Sequence, residues 1–371
     1  MWWSFDGYKS GILEAGAVVL LATATFGQPT RPGKSGIPVY QTGVHTGFIF
    51  AHSVDVQNTA GARPQIYEAI VGKWRNDSTT WNICRCGTLR SFSLALHHYD
   101  VGILGHGVSA SYALEPMFRL TPRSSLSVRS VAGLAYLTNP FHVQKNPTNQ
   151  SYSLAVSAYL ALGFGYWWRV SDHWQIGTHV LYQHISNGGL QQPNKGINWP
   201  TVGISANYSL QPRSFRTFNR ASVAFSDDIR WDVTTFGVAK RVGGQPDGRS
   251  IRYLIAGIGL QGAKQVGRIN NFAAGLEILW DDATGSRLRA DEQRLDPWRV
   301  SVYTGHEFVL GNFLFSQRLG MYLYQAGNYF DRIYHSWGLA YRISDHWMGG
   351  VNLRAHRQVA DFTDLRLTYS F

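Results

Sequence analysis

From Trp174 to Ser186 the chain alternates strictly between two kinds of residue. The even positions read Trp174, Ile176, Thr178, Val180, Tyr182, His184 and Ser186; the odd positions read Gln175, Gly177, His179, Leu181, Gln183 and Ile185. A period of two is the signature of a strand whose faces meet different surroundings. The pattern recurs in "SYSLAVSAYLALGFGYWWRV", "TVGISANYSL", "IRYLIAGIGLQGA", "NNFAAGLEILW", "WRVSVYTGHEFVL", "NFLFSQRLGMYLY" and the terminal "FTDLRLTYSF", with turn signals such as Ser-Asp, Pro-Asp-Gly and Gly-Asn between them. No internal run approaches the ~18 apolar residues of a spanning helix. Charged residues are only 15% of the chain, aromatics are 14% and glycines number 39. Soluble domains carry about 25% charged residues. The fold class is therefore all-β, a transmembrane antiparallel β-barrel, since such strands present an apolar row to lipid and a polar row to the lumen. A soluble sandwich or barrel is the alternative.

"WRVSDHWQIG" (168–177) recurs as "YRISDHWMGG" (341–350), offset by 173 residues. Each copy runs on into a closing strand, "GISANYSL" and "DLRLTYSF". Two related halves of about eight strands follow from this spacing. They divide the chain into 28–210 and 211–371, and one large barrel is expected, because separate barrels each need their own closure. Ahead of them, residues 1–27 resemble an export signal: Lys9, then the apolar Ala15–Ala24, then small residues Thr25 and Gly27 before the expected cleavage. Cys84 and Cys86 stand too close for an easy disulfide and are too few for a metal site, so neither receives a role. No metal or cofactor is expected. The net charge of +11 suits the anionic headgroups of lipopolysaccharide. Nucleic acid is set aside, since dense Lys/Arg runs are lacking and the leader directs export. A homodimer is left open.

The even face of Trp174–Ser186 is the more apolar and is expected to face lipid. The Val-Ser-Asp turn before it is short and the connection after it is long, which places His184 and Ser186 at the outer rim. A hairpin centred near Gln192 puts Asn198 about opposite Ser186, with Val202, Ile204, Ala206, Tyr208 and Leu210 continuing its face. Three polar groups then converge where exposed polar groups are costly. The set suits acyl transfer: Ser186 as nucleophile, His184 as base, Asn198 accepting the other ring N–H. Asn187 and the backbone N–H groups of Gly188 and Gly189 are candidate oxyanion donors.

At these residues the chain resembles the PagL-type lipid A 3-O-deacylases, or acyloxyacyl hydrolases. "HISNGGLQQPNKGIN" is similar to that family's H-x-S-N-x-G segment followed by P-N-x-G and a third catalytic position, and the likeness extends more weakly over about 40–210. The resemblance implies an outer-membrane serine esterase acting on lipid A, with Asn194 shaping the loop. It departs at Asn198, where the best-known members carry Glu, and no Asp or Glu lies between Asp172 and Asp227. Outer-membrane phospholipase A is similar in another way, with H-x-S-N-G and an Asn as third member. The alternatives are thus a phospholipase A or a non-enzymatic porin or structural barrel. In the second half His184 maps to Arg357 and Ser186 to Val359, so that half is expected to be structural.

Overall fold

The computed structural model describes residues 36–219, 228–242, 251–284, 297–325, 331–357 and 359–371. The leader expected over 1–27 and the Pro-Asp-Gly turn at 246–248 lie outside the described residues. Eight strands build the first half: β1 (Ile37–Gly47), β2 (Gln65–Arg75), β3 (Gly87–His98), β4 (His106–Arg119), β5 (Ser124–Leu137), β6 (Val156–Arg169), β7 (Trp174–Ser186) and β8 (Ile197–Ser209). Eight build the second: β9 (Ile229–Val242), β10 (Ile251–Gln265), β11 (Asn270–Asp281), β12 (Trp298–Leu310), β13 (Phe313–Gln325), β14 (Ile333–Arg342), β15 (Trp347–His356) and β16 (Val359–Ser370). Every pairing is antiparallel, between sequence neighbours except where the first and last strands of a half meet.

The two halves of eight strands are present, but the single large barrel is not. β1 pairs with β8, Val39 opposite Ser209 through Gly47 opposite Thr201, and closes the first barrel. β9 pairs with β16 and closes the second. Closure within each half satisfies both edge strands where they are made, so no edge remains to recruit the other half. Eight strands also leave an interior just wide enough for side chains to fill.

The interiors are filled. In the first barrel Arg129 donates to Glu68 at 2.7 Å, and Glu115 accepts from Ser127 at 2.6 Å and from the Trp167 indole at 2.9 Å. In the second, Glu277 pairs with Arg354 and Arg366, and Asp361 accepts from Lys240 at 3.0 Å and Arg299 at 2.9 Å. His356 lies with this lumen set, its ring stacked on Tyr322. The outer walls are apolar. Trp174, Ile176, Val180 and Tyr182 of β7, and Leu160, Leu162, Phe164, Tyr166 and Trp168 of β6, are all exposed. Such rows, ending in Trp and Tyr, are what a lipid-facing wall requires.

The repeated Ser-Asp-His-Trp segment is a turn and latch. Ser171 Oγ accepts from Trp174 N–H at 3.1 Å, and His173 exchanges two hydrogen bonds with Ser209, Nδ1 to its carbonyl at 2.8 Å and carbonyl to its N–H at 2.9 Å. In the second copy Ser344 accepts from Trp347 N–H at 3.1 Å, and His346 holds Ser370 at 2.9 and 2.8 Å. The motif therefore fastens the last strand of each barrel beside the preceding hairpin. Cys84 and Cys86 do form a disulfide, contrary to the sequence expectation. The short helix α1 (Ser78–Cys84) ends on Arg85 in the left-handed region (φ 53°), and the two Cα atoms on either side of it are 5.1 Å apart. That is inside the range a disulfide spans.

Candidate active site

Strand alternation sends His184 and Ser186 to the outward side of β7, two residues apart on one face. Across the hairpin, His184 is opposite Asn198 and Ile185 opposite Ile197. The hairpin is thus centred on Gln191, not Gln192, and Asn198 faces the histidine directly instead of Ser186. A slide of two residues keeps every side chain on its face, so the three groups still converge.

His184 Nε2 lies 2.9 Å from Ser186 Oγ, and His184 Nδ1 lies 2.6 Å from Asn198 Oδ1. A side-chain amide oxygen only accepts, so the Nδ1 nitrogen carries the proton and Nε2 presents its lone pair to the serine hydroxyl. Although Ser186 belongs to the outward row, it is only 9% exposed. A hydrogen bond held away from solvent is stronger than the same bond in water.

Sequence reasoning missed one residue. Asn198 Nδ2 donates to His52 Nδ1 at 3.0 Å. Beyond β1 the chain stays beside β8: Phe48 N–H donates to the Pro200 carbonyl at 3.4 Å and Phe50 N–H to the Asn198 carbonyl at 2.8 Å. This extension delivers His52 from 146 residues away. Its one trace in the sequence is a histidine shortly after the first strand, and that becomes informative only once first and last strands are known to meet. Phe48 and Phe50 are half exposed next to Asn198.

The segment after Ser186 is held largely by its own amides. Asn187 N–H donates to Asn194 Oδ1 at 2.9 Å, Asn187 Nδ2 to the Gln191 carbonyl at 2.8 Å, and Gly189 N–H to Asn187 Oδ1 at 3.1 Å. Two of the backbone donors in the expected oxyanion region, those of Asn187 and Gly189, therefore serve the loop itself. Asn194 Oδ1 is the acceptor of the Asn187 N–H within this loop. Gly188 has a φ of +63° and Gly189 of +82°, which only glycine adopts without strain. Gly196, the last residue of P-N-x-G, has a φ of +79°, and a Cβ there would stand 2.7 Å from His184 Cε1. Its N–H donates to the Ser151 carbonyl at 2.7 Å and that of Lys195 to Gln150 at 3.0 Å. The returning chain thus presses close against the imidazole ring.

The second half carries a different arrangement at the equivalent place. Arg357 has a left-handed backbone (φ 51°) and an exposed side chain paired with Asp331 at 3.0 Å. The Val359 side chain lies outside the described residues.

Residues 47–209 match the family model described as lipid A 3-O-deacylase (PagL), and residues 229–371 match that described as acyloxyacyl hydrolase, C-terminal domain. Similar solved structures include the outer membrane enzyme PagL, at 15% identity over 44% of this chain and 97% of that one, with a TM-score of 0.33. The N-terminal β-barrel domain of Pseudomonas aeruginosa OprF is similar at 15% identity over 47% of this chain and 99% of that one, with a TM-score of 0.27. No curated protein matches by sequence.

Proposed function

We propose, from the premise that this chain belongs to the lipid A 3-O-deacylase (PagL) family and carries that family's acyloxyacyl hydrolase C-terminal domain, that it is an outer-membrane serine esterase. It removes an ester-linked acyl chain from lipid A, and Ser186, His184 and Asn198 perform the reaction. The observation that carries this reading is the unbroken chain of hydrogen bonds from Ser186 Oγ through the imidazole to Asn198 Oδ1, on the apolar outer wall of a barrel.

Ser186 Oγ attacks the ester carbonyl carbon while its proton passes to His184 Nε2. The imidazolium so formed keeps its Nδ1–H on Asn198 Oδ1. The carbonyl oxygen gains the negative charge, and the Asn-Gly turn after Ser186 is the proposed place for its donors, other than the Asn187 and Gly189 N–H groups that the loop itself occupies. Collapse breaks the C–O bond, and the proton on Nε2 goes to the departing sugar hydroxyl. A water molecule, deprotonated by the same nitrogen, then attacks the acyl-serine carbonyl, frees the fatty acid and restores the serine. The acyl chain has an apolar surface to lie on: Phe48, Phe50, Tyr182 and Val202 are all exposed on the outward side near the site.

An uncharged third member favours one other reading, phospholipase A activity on glycerophospholipids. A passive pore fits less well, because both eight-stranded interiors are occupied by paired side chains. Mass spectrometry of lipid A from cells with and without the gene, and with Ser186→Ala, tests the proposal. The expected result is loss of one acyl chain only with the intact gene, while the variant still assembles as a heat-modifiable barrel. Lipid A unchanged by the intact gene, with lysophospholipid accumulating instead, would move the activity to phospholipids. Activity of Ser186→Ala within tenfold of the unaltered protein would remove the serine as nucleophile.

A further inference from the structure

We infer that His52 is a positioning residue of this site: as a neutral acceptor at Nδ1 it fixes which end of the Asn198 amide meets His184, and so which nitrogen of His184 carries the proton. The inference rests on the serine-esterase reading above. A carboxylate in the third position has two equivalent oxygens, so either can accept the imidazole N–H. An amide has one acceptor end and one donor end of nearly equal shape. Turned about, Asn198 would offer Nδ2 to His184 Nδ1. The ring proton would then move to Nε2, and the nitrogen 2.9 Å from Ser186 Oγ could no longer take the serine's proton. Replacing a glutamate by an asparagine therefore creates an orientation problem that the glutamate did not have.

His52 solves it. Its Nδ1 stands 3.0 Å from Asn198 Nδ2. The Nε2–H form, the ordinary tautomer of a neutral histidine, leaves Nδ1 as a lone pair that accepts from Nδ2 and offers nothing to Oδ1. The donor end is drawn to His52 and the acceptor end to His184, at 2.6 Å. Placement is assured by backbone pairing: Phe50 N–H is bonded to the Asn198 carbonyl itself, which ties the segment carrying His52 to the residue it orients.

The test uses the full chain in detergent micelles with 15N-labelled histidine. The His184 ring signal is assigned by its loss in His184→Gln. In the unaltered protein it should report a proton on Nδ1, and in His52→Ala a mixture of the two tautomers. His52→Asp, whose carboxylate can only accept, should restore the single form. Deacylation should follow: His52→Ala lowers kcat about tenfold with KM nearly unchanged, which is the pattern for an interaction that matters only in the transition state, and His52→Asp recovers it on the pH plateau of kcat. With Asn198→Asp, which has no donor end, adding His52→Ala should change neither tautomer nor kcat by more than twofold. A single Nδ1–H form in His52→Ala would overturn the inference. So would an equal loss of kcat in the Asn198→Asp background, since that would mean His52 merely supports the fold. Failure of the esterase reading has a separate mark: Ser186→Ala would keep the activity, whatever tautomer His184 shows.

Discussion

An imidazole on a lipid-facing row is tolerable only if both ring nitrogens are engaged, because an unpaired polar group facing hydrocarbon costs several kcal/mol. His184 meets that condition with Ser186 on one side and Asn198 on the other. The same economy makes Asn198 informative. Asn198→Ala removes the acceptor for Nδ1–H, and kcat should fall much more than KM rises, because the bond is most valuable when the ring is an imidazolium. The loss should be smaller than for Ser186→Ala, since a misoriented base still works part of the time. Asn198→Glu places a carboxylate beside the ring and favours its protonated form. A general base must be neutral to act, so the acid limb of kcat against pH should move to higher pH in the Glu variant. Profiles that coincide for the unaltered, Ala and Glu proteins would reduce Asn198 to a hairpin residue.

At the scale of the element, the β7–β8 hairpin is both scaffold and site. Its strands fix the facing pair His184 and Asn198, and its loop returns through Gly196 against the ring. Gly196→Ala combines a left-handed backbone with a Cβ 2.7 Å from His184 Cε1. Backbone strain of this kind costs of order 1–3 kcal/mol, and the ring must also move aside. We expect the barrel to assemble and kcat to fall at least tenfold, read by fatty-acid release alongside heat-modifiable gel migration. A variant as active as the unaltered protein would show that the ring tolerates displacement and that P-N-x-G serves the loop alone. The Ser-Asp-His-Trp turns show that repeated histidines need not be chemical: His173 and His346 both spend Nδ1 on the carbonyl of a terminal strand residue.

At the scale of the whole molecule, two barrels of similar pattern have different interiors. In the second, Glu277 is 3% exposed and meets Arg366 at 2.6 Å, Arg318 at 3.9 Å and Arg354. Glu277→Gln would leave three guanidinium groups facing one another across a narrow lumen. Breaking a buried ion pair by removing one partner costs about 3–5 kcal/mol. The thermal or urea transition of the second barrel should shift by that order, followed by gel migration, while the deacylation rate at Ser186 stays the same. A rate falling as far as in Ser186→Ala, with the first barrel still folded, would bring the second barrel into the reaction and end its assignment as non-catalytic.

Local alternation is a property of the chain alone, and it determined much. The outward row of β7, the outer position of Asn198's side chain and the pairing of a histidine with a serine two residues on all follow from a period of two. The two related halves follow from a repeat at 173 residues. What the sequence left undecided were the partners of strand edges. Whether β8 meets β1 or runs on to another strand is a matter of closure, settled by hydrogen bonds between residues far apart in the chain, and so the number of barrels was misread. The centre of the hairpin was off by one residue for the same reason: parity is local, but register depends on loop geometry. Whether Cys84 and Cys86 join depends on how the chain turns between them, which their spacing alone does not give. His52 needed the closure of the barrel, which alone brings the end of the first strand beside the start of the last.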